Sequence, residues 1–318
     1  MAVTNHVKHP LQTARFNNAD GGLKQFGKWL KDAKVTFNGN TLIVIENTGI
    51  YHRLLWSYCS KKKLPLHIGN AAHIKWSFGI ARGKNDKIDS LRLCQYACKE
   101  SDTLKATPVA DIVLLQLKDL MTARTQLLSQ FNINQSYLNV LKNINDKAVQ
   151  HSLEQAYRMA IDGIKASIKA LEGQIKNIIV VNEALQKNYD LLITVPGIGH
   201  LTAVYLVCCT NNFAGKISGK QLACYAGVVP FEHSSGISIK GRSRVSSMAN
   251  KTLKKMLHLG ALSAIQHYPE FKQYFERKKA EGKHGMSIIN AIRNKIVLRA
   301  AAVVNNQKTY VDKWSQAA

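Results

Sequence analysis

The chain has 318 residues, 46% of them hydrophobic, and carries 44 Lys and Arg against 20 Asp and Glu, a formal net charge of +24. This composition excludes a disordered chain, allows one to three folded domains, and makes a polyanion, most simply nucleic acid, the expected partner over a merely basic or ribosome-associated role. The six cysteines, Cys59, Cys94, Cys98, Cys208, Cys209 and Cys224, form no C-x-x-C pair and lack His partners at zinc-site spacing, so most read as core residues of a reduced protein.

The start, Met1-Ala-Val-Thr-Asn-His6, is polar and has no secretion-signal core. No apolar run reaches the length of a bilayer, which predicts a cytoplasmic protein with no membrane partner. Residues 1–105 alternate helix and strand signals and predict an α/β domain with a central sheet. Gly22 to Leu30 has helical spacing. Thr41 to Glu46 is an apolar run of strand type, broken by Asn47-Thr48-Gly49. A helix over Tyr51–Ser60 and a short strand over Leu64–Ile68 follow, and a basic stretch from His73 to Lys84 leads into a helix headed by Asp86.

Acids are scarce, so three of them stand out. Glu46 closes the 41–46 strand, and Asp86 and Asp89, three apart at a helix head, project from one face. A strand-end carboxylate beside two helix carboxylates is a donor set for Mg²⁺, which is held through few carboxylates plus substrate phosphates. The plainer reading makes Glu46 a cap and the aspartates first-turn acids favoured by the helix dipole.

Residues 112–190 are helical throughout. Leu153, Tyr157, Ile161, Ile164, Ile168, Leu171, Ile175 and Ile178 lie three or four apart, the last six as an a/d seam. Residues 114–141 are the expected antiparallel partner. The pattern fits an internal helical hairpin or a coiled coil used in oligomerisation.

Residues 191–318 open on Pro196-Gly197-Ile198-Gly199 between two helical stretches, the pattern of a helix–hairpin–helix. Its glycines, Gly197 and Gly199, allow a sharp turn and leave N–H groups at a helix start for a phosphate. Next come Ser234-Ser235-Gly236 and the cations Lys240, Arg242 and Arg244. A serine beside glycine with cations downstream has the parts to attack a phosphate, although Ser and Gly are also ordinary turn formers. A basic helical tail follows.

Val44-Ile-Glu-Asn-Thr-Gly-Ile-Tyr51, Lys84-Asn-Asp-Lys-Ile-Asp89, Val195-Pro-Gly-Ile-Gly199, Tyr225-Ala-Gly-Val-Val-Pro230, Ser235-Gly236 and Lys240-Gly241 occur in this order. With them the chain resembles, over nearly its whole length, transposases of bacterial insertion-sequence family 110/1111, relatives of the Piv pilin-gene invertases. The resemblance implies a RuvC-like, RNase H-fold N-terminal domain with a four-acid Mg²⁺ site, then a coiled coil, then a mainly helical C-terminal transposase domain. It makes Glu46, Asp86 and Asp89 the second, third and fourth acids. It makes Ser235 a nucleophile that links transiently to DNA. It also implies DNA and a structured guide RNA as partners, and a homo-oligomer (dimer or tetramer).

The family's first aspartate lies on a first strand. Here Ala14 to Gly21 matches the segment after that hairpin, and Met1 to Thr13 hold no aspartate and no apolar strand. The expectation is therefore an N-terminally truncated transposase or site-specific recombinase with impaired catalysis. The alternatives are a nucleic-acid-binding remnant and a structure-specific nuclease that uses the acids without the serine.

Overall fold

The computed structural model describes residues 1–3, 12–37, 39, 41–78, 85–109, 111–235, 239–245 and 248–311, with backbone only over 232–235 and 239–244. Two compact units divide the chain, Met1–Ala110 and Asp111–Ala318. Among the described residues the fold is mainly helical, with strands only in pairs. No helix there is long and apolar enough to cross a membrane.

The first unit begins with β1 (Ala2–Val3) and β2 (Gln12–Thr13), paired antiparallel with Ala2 opposite Thr13. Then follow α1 (Asp20–Asp32), β3 (Ile43–Glu46), α2 (Arg53–Lys61), β4 (Leu66–Gly69), α3 (Ala71–Ser77) and α4 (Asp86–Lys99). β3 and β4 are parallel, Ile43 opposite Leu66 and Glu46 opposite Gly69. A parallel pair needs a crossover, and α2 supplies it. The residues Leu23, Phe26 and Leu30 recur on one stripe of α1 and bury against Ile45, Leu55, Cys59 and Leu66. The outer edge of β4 is covered by Thr107, whose N–H donates to the Leu66 carbonyl at 2.7 Å and whose hydroxyl accepts from the Ile68 N–H at 2.9 Å.

Two features depart from the sequence reading. Residues 1–13 contain two strand segments where no strand was expected, because a two-residue bridge needs no apolar alternation. A short helix, α3, occupies part of the basic stretch, started by Asn70, whose side chain accepts from the Ala72 N–H at 2.8 Å. In place of the expected central sheet, the described residues of this unit form two separate two-stranded pairs, β1–β2 and β3–β4.

The second unit begins with a helical hairpin, α5 (Ile112–Leu141) and α6 (Lys147–Val181). The heptad seam of α6 is its shielded face: Ile161 and Ile175 are buried and Leu153, Tyr157, Ile164, Ile168, Leu171 and Ile178 are half-buried. Tyr137 meets Tyr157 at a ring distance of 4.8 Å, and Arg124 Nε donates to Glu172 Oε1 at 2.6 Å, so the two helices run antiparallel. The hairpin reading thus holds within one chain.

Next come α7 (Glu183–Ile193), α8 (His200–Cys209), α9 (Gly219–Tyr225), β5 (Pro230–Ser235), β6 (Ile239–Val245), α10 (Lys251–His267), α11 (Pro269–Ala280) and α12 (Gly285–Asn306). The helix starts are written locally. Asp111, Asp146, Asn182, Ser218 and Asn250 each accept a backbone N–H from the first turn, and Ser218 and Gln221 form a reciprocal capping box. Leu114, Leu117, Met121, Ile175 and Ile179 share one core with α7–α12, whose centre is Ile292, Ile296, Val297 and Ala300. Segments 112–190 and 191–318 are therefore joined by a common interior. Cys59, Cys208 and Cys209 are core thiols, pushed up to about 12 by burial.

Candidate functional site

In the first unit Glu46 ends β3 with its side chain exposed, just before Asn47, whose N–H continues the ladder to the Gly69 carbonyl at 2.9 Å. α4 packs on β3 and on β1, where the Cys94 thiol donates to the Ala2 carbonyl at 3.1 Å. Asn85 caps α4 by accepting the Ile88 N–H at 2.8 Å, which places Asp86 and Asp89 in the first turn. Arg15 lies 3.7 Å from Asp86, both side chains about nine-tenths exposed, and Arg92 lies 3.4 Å from Asp89. An exposed pair such as Arg15–Asp86 contributes about 0–1 kcal/mol, so Asp86 is not locked by it; the Arg92–Asp89 pair is partly buried. The three hard oxygen donors suit Mg²⁺. Yet among the described residues no three such side chains gather closely enough to form a cation cage by themselves. The acids stand on packed elements, and closure would need oxygens from outside this set.

In the second unit Ser235 ends β5 and pairs with Ile239 at the start of β6, next to the hairpin tip. Ser234 pairs with Lys240, His233 with Gly241 and Phe231 with Arg244; the register shifts between Phe231 and His233, so Arg242 lies beside an irregularity. The serine and the three predicted cations thus share one two-stranded ribbon. Gly236, next to Ser235 in sequence, lies outside the described residues.

The glycine turn joins α7 to α8. Gly197 has φ +87°, and a Cβ there would lie 2.8 Å from the Gly260 carbonyl oxygen and 2.7 Å from Ile296 Cδ1. The same contact seen from α10 is tighter: a Cβ on Gly260 would lie 2.1 Å from the Gly197 carbonyl oxygen. Gly197 therefore faces the core and lets two backbones touch. Gly199 is different. It is exposed, heads α8 without a side-chain cap, and a Cβ there would meet nothing within 4 Å. The Ala203 N–H donates to the Gly199 carbonyl at 3.0 Å and starts the helical ladder, so the N–H groups before it have no partner within the helix. Beside them His200 Nδ1 and the Tyr189 hydroxyl are 2.7 Å apart. Burial holds His200 below its ordinary value, assisted by Lys176 and Arg124 and opposed by Glu172.

Sequence reasoning missed Asn250. Its side chain binds Tyr205 of α8 and Tyr225 of α9 while capping α10. An asparagine directly before Lys-Thr-Leu is a helix-start signal, but nothing local shows that two distant tyrosines converge on it. It missed also Arg299, set between the rings of Phe271 and Tyr310 at 4.9 Å from each and paired with Glu270.

Two transposase family models match the chain: one of the IS116/IS110/IS902 family over residues 189–276, and an IS110-type DEDD transposase model over residues 1–145. The pilin gene-inverting proteins of Moraxella bovis and Moraxella lacunata are each 29% identical over 309 residues, 94% of this chain and 90% of theirs. The transposase for insertion sequence element IS1328 of Yersinia enterocolitica is 27% identical over 156 residues, 46% of this chain and 43% of its own.

Proposed function

The chain belongs to the IS110 family of insertion-sequence transposases, and from that premise we propose that it breaks and rejoins DNA with Ser235 as the attacking residue. The observation that carries the reading is the hairpin: Ser235 ends one strand of a ribbon whose other strand holds Lys240, Arg242 and Arg244. The serine oxygen forms an ester with a DNA phosphate, and the displaced DNA oxygen takes up the proton that the serine gives up. Because one phosphoester replaces another, the strand can be rejoined by the reverse step. The cations hold the phosphate oxygens as charge builds on them.

The first unit we read as RuvC-like, with Glu46, Asp86 and Asp89 holding a divalent metal, Mg²⁺ in our reading, together with DNA phosphate oxygens. Such a metal, when bound, polarises a phosphate oxygen. The side chains and backbone around it orient the strand. The open α8 start at Gly199 holds a further phosphate without base readout, which supports backbone positioning. A structured guide RNA then supplies sequence recognition, consistent with the net charge of +24.

We also infer a homo-oligomer joined through α5. No charged residue lies between Arg124 and Lys142, and Ile133, Tyr137 and Val140 are exposed on one face of that stretch, beside Ser129, Asn132 and Ser136. In so cationic a chain, a long neutral face is where two copies meet with least repulsion.

A second reading, a nucleic-acid-binding protein without strand exchange, is favoured by one observation: the three acids form no closed cage among the described residues. Incubation with paired donor and target DNA, with and without Mg²⁺, separates the two. Recombinant product and a covalent adduct lost in Ser235→Ala, with DNA affinity unchanged, support the first reading. Salt-sensitive binding with neither product nor adduct supports the second. Cleavage that survives Ser235→Ala but not Glu46→Gln points instead to a nuclease.

A further inference from the structure

The serine hairpin, β5 and β6, is flanked by Tyr225 and Asn250, and these two residues are tied together directly by two hydrogen bonds, with two more from the same Asn250 side chain to their neighbours. The Asn250 N–H donates to the Tyr225 carbonyl at 2.9 Å. Its Nδ2 donates to the Tyr225 hydroxyl at 2.7 Å. Its Oδ1 accepts from the Tyr205 hydroxyl at 3.1 Å and from the Leu253 N–H at 2.9 Å. One side chain thus joins the end of α9, the middle of α8 and the start of α10. Just inside this root, Gly227 has φ +65° and lies so close to Ala249 that a Cβ on it would come within 2.0 Å of the alanine Cβ.

A helix cap alone needs only one acceptor for the first-turn N–H, which serine, threonine or aspartate would supply equally. It does not need two tyrosine hydroxyls. A two-stranded ribbon has little stability of its own in water, so its direction is set at its root. We propose that Asn250 is a positioning residue: its amide clasps the two ends of the serine hairpin through Tyr205 and Tyr225 and sets where Ser235 meets DNA, without touching DNA itself. The inference rests on the serine reading for its catalytic consequence and on the hydrogen bonds alone for the clasp.

The variants Asn250→Ala, Asn250→Ser, Asn250→Asp and Tyr225→Phe, in the full chain, test it. Three measurements are made: DNA affinity, rate of covalent adduct formation, and amide hydrogen exchange along residues 230–245 against α12. Serine restores the cap but is too short to bridge both hydroxyls. Aspartate restores the clasp, with the Tyr225 hydroxyl now donating. In Asn250→Ala and Asn250→Ser the adduct rate is expected to fall about a hundredfold, the loss typical of a misplaced reacting group, at unchanged DNA affinity. In Asn250→Asp it recovers to within about threefold of the parent, an expectation scaled against that same loss. Hairpin amides exchange faster in Asn250→Ala and Tyr225→Phe, while α12 amides do not. Unchanged hairpin exchange in both, or a parental adduct rate in Asn250→Ser, overturns the clasp. A parent protein that forms no adduct, or an adduct that survives Ser235→Ala, overturns the serine reading instead, and the exchange data still decide on the clasp.

Discussion

Replacing Gly197 with alanine adds one methyl group at the point where the glycine turn meets α10. Two costs apply. Alanine at φ +87° is in left-handed space, at about 1–2 kcal/mol. The new Cβ then sits 2.8 Å from the Gly260 carbonyl oxygen, a backbone atom that moves only if α10 moves, and 2.7 Å from Ile296 Cδ1, whose residue is fully buried. Overpacking of this kind costs about 1–3 kcal/mol. Together they predict a loss of about 2–5 kcal/mol, or a fall in Tm of about 5–15 °C for a unit of this size. Gly260→Ala, seen from the other side, is expected to destabilise too. Its gain in helix propensity is only about 1 kcal/mol, against a backbone oxygen 2.1 Å away.

Gly199→Ala is the control. Its φ of −90° suits alanine and the space around it is open. A poorer helix cap and a less flexible unfolded chain oppose each other, leaving a change within about 0.5 kcal/mol. DNA affinity, however, should fall in Gly199→Ala, where a methyl group intrudes on the exposed helix start. Thermal melts and DNA titrations of the three variants check this. A Gly197→Ala protein melting within about 1 °C of the parent, against the shift scaled above, would refute the packing argument.

Other outcomes can be stated more briefly. Burial alone would raise the Glu270 carboxyl, but hydrogen bonds and charge from Arg299, with Tyr310 and Lys295, outweigh it and hold it below 4.5. Its contribution to stability is therefore complete above about that pH and lost as pH falls through the lower folded value; Glu270→Gln should flatten the acid limb of a Tm–pH curve. His258, whose Nδ1 lies 2.5 Å from Arg293 Nη2, is held below 6.5 by burial and by the arginine. The unfolded chain binds this proton more readily, so stability should drop as pH falls through 6.5, and His258→Gln should reduce that dependence in urea titrations, leaving the part due to His200. Ile133→Lys with Val140→Lys should lower the mass seen by sedimentation without changing helix content; an unchanged mass would exclude α5 as the joint between copies.

Much of the architecture was legible because its causes are local. The stripe of Leu23, Phe26 and Leu30, the seam from Leu153 to Ile178 and the Asx residues at helix starts act over three or four residues, and periodicity exposes them directly. The strand ending in Glu46 was visible for the same reason. The two-residue strands β1 and β2 were not, since so short a pairing leaves no pattern. For Gly197 and Gly199 the motif was plain but the division of labour was not, because one glycine faces another backbone and the other faces open space.

By itself, the sequence determined the cationic character, the main helices, the strand ending in Glu46 and the family motifs. All of these follow from residue type and near-neighbour spacing. Only the tertiary structure decided that the base of the helical hairpin shares a core with the C-terminal helices, that Gly197 meets Gly260, and that Asn250 joins Tyr205 to Tyr225 across 45 and 25 residues of chain. Contacts between positions so far apart depend on how whole helices pack, and no local pattern records them.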